Sequence, residues 1–204
     1  YRNTKEILKA AWAVIDASTA TRLNADRISD PTFPLIEPKS ADKRGPKPVL
    51  HLSETLQQSV DIACEQIERF RQVGYETQDI AVIFHSRAKE NEDWLPMLRQ
   101  KLEALDISIY WTSNDYTKRN YSAYAPGVRF VSTESALGLE FKAVVIMEVA
   151  RFVDRHEDEA IRYRQLYVAM TRAQDELHIL GNVSHPFTQT LVATGKFKVN
   201  NLKH

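Results

Sequence analysis

The chain has 204 residues, enough for one large domain or two small ones with a sizeable buried core. Apolar residues make up 43% of it and charged residues 26%, which are the proportions of a soluble globular protein. Its 27 basic and 27 acidic residues cancel, so no strong overall field draws it to nucleic acid or to an anionic membrane. Any site for a polyanion must therefore be a local groove.

The single cysteine, Cys64, lies in a segment of apolar periodicity. One cysteine excludes an internal disulfide and a Cys-cluster metal site, and favours a buried thiol in a reducing compartment, which we expect to be the cytoplasm. No apolar run approaches the ~18 residues of a membrane span, and no signal peptide opens the chain, so we expect no membrane partner. Because it starts at Tyr1 without a methionine, we expect it to be a piece of a longer protein.

Helical and strand-like patterns alternate along the chain. The pattern predicts a helix over 5–22 with Thr4 as its N-cap, and residues 25–48 are predicted to be an irregular connector because five prolines and one glycine fall from Asp30 to Pro48. We take that connector as a loop within one domain that covers 1–204. The predicted strands are 49–52, 79–84, 107–111, 128–133, 143–149 and 176–180. The other predicted helices are 53–73 (ended by Gly74), 91–105 and 157–171. A loop covers 112–127, and the tail, 182–204, is predicted to contain one short helix at most.

This alternation predicts an α/β fold with a mostly parallel sheet and helices on both faces. Ligands of such sheets bind beyond the carboxyl ends of the strands. We therefore expect the informative turns to be those after Phe84, after Val131 and at the joint near Arg172.

Several common catalytic motifs are missing from the sequence. It contains no GxxxxGK[ST] loop to cradle a triphosphate, no HExxH, no GxSxG and no paired Cys-x-x-Cys, and its six histidines show no ligand spacing. These absences argue against a self-contained metalloenzyme or serine hydrolase.

The segment VRFVSTESALGLEFKAVVIMEV (128–149) contains two strands joined by a polar turn. Under one interpretation the turn is only a connection in which Gly138 supplies a left-handed or tight geometry. Under the other, Thr133, Ser135 and Glu140 project from the active edge of the sheet toward a ligand.

The segment RQLYVAMTRAQDELHILG (164–181) joins the end of a helix to a strand, with Arg172 close to the joint. The predicted helix has Glu157, Asp158 and Glu159 in its first turn, so Arg172 near its end would complement the helix dipole. Alternatively, Arg172 makes bidentate contact with a phosphate outside this chain. The pair Tyr1-Arg2 places an aromatic face beside a guanidinium, which suits a base and its phosphates.

Taken in order, these segments resemble the C-terminal half of superfamily 1 helicases of the UvrD/Rep type. YRNTKEI (1–7) resembles that family's NYRST-x-x-I segment, DIAVIF (79–84) its "diAVL" strand, TESALGLEF (133–141) its T-x-H-x-x-K-G-L-E-F motif, and QLYVAMTRA (165–173) its L-x-Y-V-x-x-T-R-A motif. The similarity runs from residue 1 to about 182.

The resemblance implies a second RecA-like motor domain, which has the fold of a P-loop NTPase without the P-loop and closes over ATP held by an N-terminal RecA-like domain. That absent domain would also hold Mg²⁺. The roles implied by position are an adenine contact for Tyr1, a γ-phosphate contact for Arg2, nucleotide contacts for Gly138 and Glu140, an arginine finger for Arg172, and single-stranded DNA contacts for Ser132, Thr133 and Ser135.

The sequence departs from the family pattern at two positions. The histidine of the TxHxxKGLEF motif is Glu134 here and its lysine is Leu137, which removes positive character from the turn that would face DNA. Also, only the loop at 112–127 occupies the place where larger members insert a domain. The aromatic residues around that loop would either stack bases or pack within the protein: Trp111, Tyr116, Tyr121 and Tyr124.

The sequence thus predicts the C-terminal motor domain of an ATP-dependent DNA helicase or translocase, inactive as an ATPase by itself. The competing hypothesis is a non-catalytic helicase-like module that binds a protein partner or nucleic acid. An RNA motor is also compatible with the sequence, because tracking along a backbone says little about the sugar.

Overall fold

A computed structural model describes residues 2–17, 42–85, 88–112, 121–154 and 159–201. Several predicted features lie outside the described residues: Tyr1, the end of the first helix at 18–22, the connector up to residue 41, Tyr116, and the start of the helix predicted from residue 157.

The described residues form one sheet of seven strands in which every pairing is parallel. The strands are β1 (Val49–Ser53), β2 (Ile80–Phe84), β3 (Ile109–Trp111), β4 (Val128–Ser132), β5 (Phe141–Ile146), β6 (Ala173–Asn182) and β7 (Lys198–Asn201), and their order in the sheet is β3-β4-β2-β5-β6-β1-β7. All five residues of β2 are buried, as expected for a strand covered on both faces.

Helices cover both faces of this sheet. They are α1 (Lys5–Ala17), α2 (Leu56–Gln72), α3 (Leu95–Ala104), α4 (Glu159–Met170) and α5 (Pro186–Ala193). The apolar residues of α1, α4 and α5 share one core with one face of the sheet, while those of α2 and α3 share a second core with the other face. The predicted α/β fold class is confirmed.

Helix α2 shows how local sequence sets the element bounds. Thr55 is its N-cap and forms a reciprocal capping box with Gln58, so the helix starts at Leu56 rather than at the predicted residue 53. Ser53 instead ends β1. Gly74 follows the helix with φ +101°, a conformation that favours glycine, and confirms the predicted stop. Cys64 on this helix is buried as predicted, and burial raises the pKa of its thiol.

Three other elements have at least one end that differs from the prediction by three residues or more. Strand β5 spans 141–146 rather than 143–149, because Glu148 takes a left-handed conformation (φ +49°) and a 3₁₀ helix follows at Val149–Phe152. Strand β6 runs to 182 and starts at 173, longer than the predicted 176–180. Helix α3 starts at Leu95, after a 3₁₀ helix at Ala88–Asn91, rather than at residue 91.

The single short helix predicted for the tail is confirmed, but the prediction of no further regular structure there was wrong. The tail contains that helix, α5, and also β7, which pairs with β1 at the margin of the sheet. All four residues of β7, KVNN, are exposed. A strand without a buried face has no apolar alternation, so the pattern that identifies half-buried strands is missing from it.

Candidate functional site at the amino edge of the sheet

Because all strands are parallel, they begin at one edge of the sheet, here called the amino edge, and end at the opposite carboxyl edge. Arg172 immediately precedes β6 and Glu140 immediately precedes β5, so both lie at the amino edge. The expectation that the Arg172 joint lies beyond the carboxyl ends was wrong, because a helix-to-strand joint leads into a strand.

Arg172 is held by the backbone of its own domain. Its Nε donates to the Val168 carbonyl at 3.1 Å, its Nη1 to the Leu139 carbonyl at 3.2 Å and its Nη2 to Thr171 Oγ1 at 3.3 Å. Burial lowers the pKa of this half-buried guanidinium, and the nearby Glu140 carboxylate opposes that effect.

The helix-end interpretation of Arg172 is confirmed in part. Helix α4 has no basic residue in its last turn, and Arg172 lies just beyond Met170, where it satisfies the Val168 carbonyl near the C-terminus of the helix. Both the dipole and the open carbonyls favour a cation at this place. Its three contacts do not exhaust the donors of a guanidinium, so an external acceptor still has groups to bind.

Glu140 joins the other predicted residues at this edge. Its Oε2 accepts from Arg2 Nη1 at 3.4 Å and from Gln174 Nε2 at 2.9 Å. The Arg2 side chain is 77% exposed, so this ion pair opens readily to a stronger acceptor. Gln174 was not predicted, because no motif or periodicity distinguishes it.

Two further residues tie the N-terminal segment to the start of β6, and sequence reasoning missed both. The side-chain amide of Asn3 donates to the carbonyls of Thr171 and Ala173. Lys43 pairs with Asp175 and also donates to the Arg2 carbonyl at 3.3 Å. The start of β6 therefore contacts each of the segments that contribute to the site.

The donor set at the amino edge fits a nucleotide. The Arg2 guanidinium pairs with the Glu140 carboxylate, and the Arg172 guanidinium is near enough to this carboxylate to interact with it electrostatically. Guanidinium groups bind phosphate oxygens, and a carboxylate accepts from sugar hydroxyls. Among the described residues no group of three or more His, Cys, Asp or Glu is placed to hold a metal ion.

The residues predicted to contact DNA lie at the carboxyl edge. Ser132 and Thr133 are buried, and Thr133 uses its backbone amide and its Oγ1 to bind the Phe84 carbonyl at 3.0 and 3.2 Å. Ser135 is half-buried and its Oγ accepts from Ser132 Oγ at 3.0 Å.

The interpretation in which Thr133, Ser135 and Glu140 project toward one ligand was therefore wrong. They end the upstream strand, whereas Glu140 starts the downstream one. Residues 133–140, here called the crossing segment, run from the carboxyl edge to the amino edge. At its far end the Leu139 carbonyl accepts from Arg172, so the segment connects the two edges directly.

The two positions that depart from the family pattern are both accessible. Glu134 is exposed, and Leu137 is 47% exposed. The exposed surface of the crossing segment therefore carries a negative charge and an apolar side chain.

Most of the described aromatic residues near the loop at 112–127 pack within the protein. The ring of Trp111 packs edge-on against Phe84 and Phe130, and the ring of Tyr121 packs edge-on against Tyr110. Tyr124 is 91% exposed and stays available for stacking.

Arg129 organises this loop and was not predicted. It is fully buried on β4, and its guanidinium donates to the carbonyls of Ser122, Ala123, Ala125 and Gly127 while lying 4.2 Å from the Tyr110 ring centroid. Nothing in the sequence distinguishes a buried arginine on a strand from an exposed arginine on a strand.

Residues 127–180 match the family model of the UvrD-like helicase C-terminal domain. This stretch includes Gly138, Glu140 and Arg172. No curated protein matches the chain significantly. Within the described residues, none of the helices has both the length and the apolar character needed to cross a membrane.

Two solved structures resemble the fold. The C-terminal domain of a possible DNA helicase from Lactobacillus plantarum WCFS1 aligns with 98% of this chain over 98% of its own length, with a TM-score of 0.64 and 21% identity. Domain 2 of the DEAD-box helicase Mss116p, bound to an RNA duplex, aligns with 78% of this chain over 65% of its own length, with a TM-score of 0.48 and 16% identity. The chain thus has the fold of the Lactobacillus domain, and the resemblance to UvrD-type helicase C-terminal domains is confirmed over residues 127–180.

Proposed function

We propose that this chain is the C-terminal motor domain of an ATP-dependent DNA helicase or translocase of the cytoplasm. It completes an ATP site whose phosphate-binding loop and Mg²⁺ belong to an N-terminal RecA-like domain of the same protein, and it contacts single-stranded DNA. The observation that carries the proposal is the meeting of Arg2, Glu140 and Arg172, from distant parts of the chain, at one edge of the sheet.

Arg172 is the arginine finger in this proposal. An arginine supplied across a cleft stabilises the charge on a transferred phosphoryl group and raises the rate by ~10³–10⁵ in comparable systems. Because backbone contacts already orient its guanidinium, little reorganisation is needed when the cleft closes.

Arg2 and Glu140 complete the nucleotide contacts. The exposed Arg2 exchanges its weak ion pair for a phosphate, and Glu140, released from Arg2, accepts from a sugar hydroxyl while Gln174 keeps it oriented. Since hydrolysis requires these groups to approach a second domain, it is coupled to domain closure and hence to movement along DNA.

The crossing segment supports a DNA contact at the carboxyl edge. It places the backbone around Ser135 at that edge and the Leu139 carbonyl on Arg172. A strand of DNA held at one end of the segment is thereby connected to the proposed ATP site at the other.

ATPase measurements on three preparations test the proposal. They are this chain alone, the chain joined to the N-terminal RecA-like domain of the same protein (here called the joined protein), and the joined protein with Arg172→Ala. We expect no hydrolysis from the chain alone, DNA-stimulated hydrolysis from the joined protein, and a kcat about 10³-fold lower in the variant. Strong ATPase activity of the chain alone would contradict the proposal.

A second candidate function, a non-catalytic module that binds a protein partner or nucleic acid, is favoured by Glu134 and by the half-exposed Leu137, which leave the DNA-facing turn without a cation. The same assay separates the two. No DNA stimulation of ATPase in the joined wild-type protein, together with stimulation gained by the double variant Glu134→His, Leu137→Lys, would favour the second function.

A further inference from the structure

One buried amide connects the two arginines of the proposed ATP site. Asn3 follows Arg2 in the chain, and its Nδ2 lies 2.7 Å from the carbonyl oxygen of Thr171 and 2.7 Å from that of Ala173. These carbonyls belong to the residues on either side of Arg172. Asn3 is only 4% exposed, so water does not compete for these bonds.

The chemistry of the contact leaves one orientation for the amide. Both partners are carbonyl oxygens, which only accept, so the NH₂ end of the amide must face them and each of its hydrogens has an acceptor. The contact joins parts of the chain that are 168 and 170 positions apart. It therefore fixes where the segment carrying Arg2 lies relative to the turn carrying Arg172.

A serine would not reproduce this contact. In the segment that YRNT resembles, serine stands at the position of Asn3, and a hydroxyl has one hydrogen to donate where the amide has two. Lys43 also touches the Arg2 backbone, but its side chain is 42% exposed and it reaches Asp175 rather than the carbonyls beside Arg172.

We propose that Asn3 is a positioning residue for phosphoryl transfer, whose amide holds Arg2 and Arg172 in the one arrangement in which both reach the phosphates of a nucleotide. This inference rests on the proposed function. Asn3 itself touches no nucleotide in this proposal; it acts through the backbone next to the two arginines that do.

The first experiment uses this chain alone and needs no nucleotide. The arginine Nε–H signal of Arg172, assigned by comparison with Arg172→Lys, reports its bond to the Val168 carbonyl. We expect its hydrogen to exchange with water at least about tenfold faster in Asn3→Ala and in the isosteric Asn3→Asp, because the turn then opens locally.

The second experiment measures the DNA-stimulated ATPase activity of the joined protein. A displacement of about 1 Å costs on the order of 10²-fold in rate, so we expect kcat to fall about 10- to 100-fold in Asn3→Ala while the KM for ATP changes less than about threefold. Asn3→Ser, with one donor, should lie between the variant and the wild type.

Asn91→Ala is the matched control. Asn91 is also a buried amide that donates to a backbone carbonyl, that of His85 at 3.1 Å, but it lies away from the amino edge. We expect it to lower Tm as Asn3→Ala does while keeping kcat and the Arg172 signal.

Two outcomes would overturn the inference: Asn3→Ala keeping both kcat and the Arg172 exchange rate, or Asn91→Ala changing both by as much. If the joined wild-type protein hydrolyses no ATP, the proposed function fails, whereas the exchange experiment still decides whether Asn3 holds Arg172.

Discussion

At the residue scale, His51 and His178 form a buried pair away from the proposed site. Their rings are stacked, with His51 Nε2 and His178 Nδ1 2.8 Å apart, and the two residues are 2% and 5% exposed. Arg69 and Glu176 lie beside His178, and Asn200 lies beside His51. Burial, the other imidazole and Arg69 lower the pKa of His51 to about 3, and burial lowers the pKa of His178 as well.

This pair predicts a loss of stability at mildly acidic pH. The unfolded imidazoles bind protons as the pH falls below about 6.5, whereas the lowered pKa values keep the folded imidazoles neutral over more of this range, in His51 down to about pH 3, so the free energy of unfolding falls as the pH decreases below 6.5. Each imidazole contributes at most about 1.4 kcal/mol per pH unit. Urea unfolding at pH 7.5, 6.5 and 5.5 measures the slope.

The control for this prediction is His51→Leu, which should be less pH-dependent over the same range because it has one buried imidazole fewer. Glu176, whose pKa is lowered to about 2, first by its hydrogen bond with His178, adds to the loss only below about 4.5. A wild-type free energy of unfolding that is constant from pH 7.5 to 5.5 would contradict the prediction.

At the element scale, the crossing segment depends on one glycine. Gly138 has φ +81°, and a Cβ placed on it would meet no atom within 4 Å. The interpretation of Gly138 as the source of a left-handed geometry is confirmed. Gly138 precedes Leu139, whose carbonyl accepts from Arg172, so the backbone conformation at Gly138 also sets the position of a hydrogen-bond acceptor of Arg172.

Substitution of Gly138 therefore tests backbone conformation without steric interference. We expect Gly138→Val to lower the free energy of unfolding by about 1–2 kcal/mol and to reduce kcat of the joined protein, because a β-branched residue disfavours positive φ. Gly138→Asn, which tolerates this conformation better, should retain most of both. Equal stability and kcat in Gly138→Val and Gly138→Asn would show that the backbone conformation is unimportant.

The elements differ in how far the sequence could predict them. Strand β2 is a short apolar run between polar residues, and α2 has helical apolar spacing with a glycine stop, so both were predicted within a few residues. Strand β7 was missed because its four residues are exposed and only one of them, Val199, is apolar. Its pairing with β1 also joins residues almost 150 positions apart, as in His51 with Asn200.

At the scale of the whole molecule, the proposed nucleotide and DNA contacts lie at opposite edges of the sheet. A strand of five residues such as β4 rises ~3.3 Å per residue, so the edges are roughly 16 Å apart. At this distance an added charge at one edge is largely screened from the other at physiological salt.

This separation predicts that the two activities respond to different substitutions. Arg172→Ala should lower kcat about 10³-fold without changing the affinity for single-stranded DNA, whereas Ser135→Asp should weaken DNA binding about threefold to tenfold at low salt while kcat at saturating DNA is kept. Fluorescence anisotropy with a labelled oligonucleotide, alongside the ATPase assay, measures both. An equal loss of DNA affinity in Arg172→Ala and in Ser135→Asp would contradict the separation of the nucleotide contacts from the DNA contacts.

The sequence by itself determined the α/β fold class and the bounds of most elements to within a few residues, and it made Arg2, Glu140 and Arg172 candidates for the site, because apolar periodicity and short motifs are local properties of the chain. Only the tertiary structure decided that these three residues lie at the amino edge, that Ser132 and Thr133 are buried at the carboxyl edge, and that Asn3 and Gln174 are part of the proposed site. Those facts depend on polar contacts between residues up to 170 positions apart, and such contacts leave no periodic trace in the sequence.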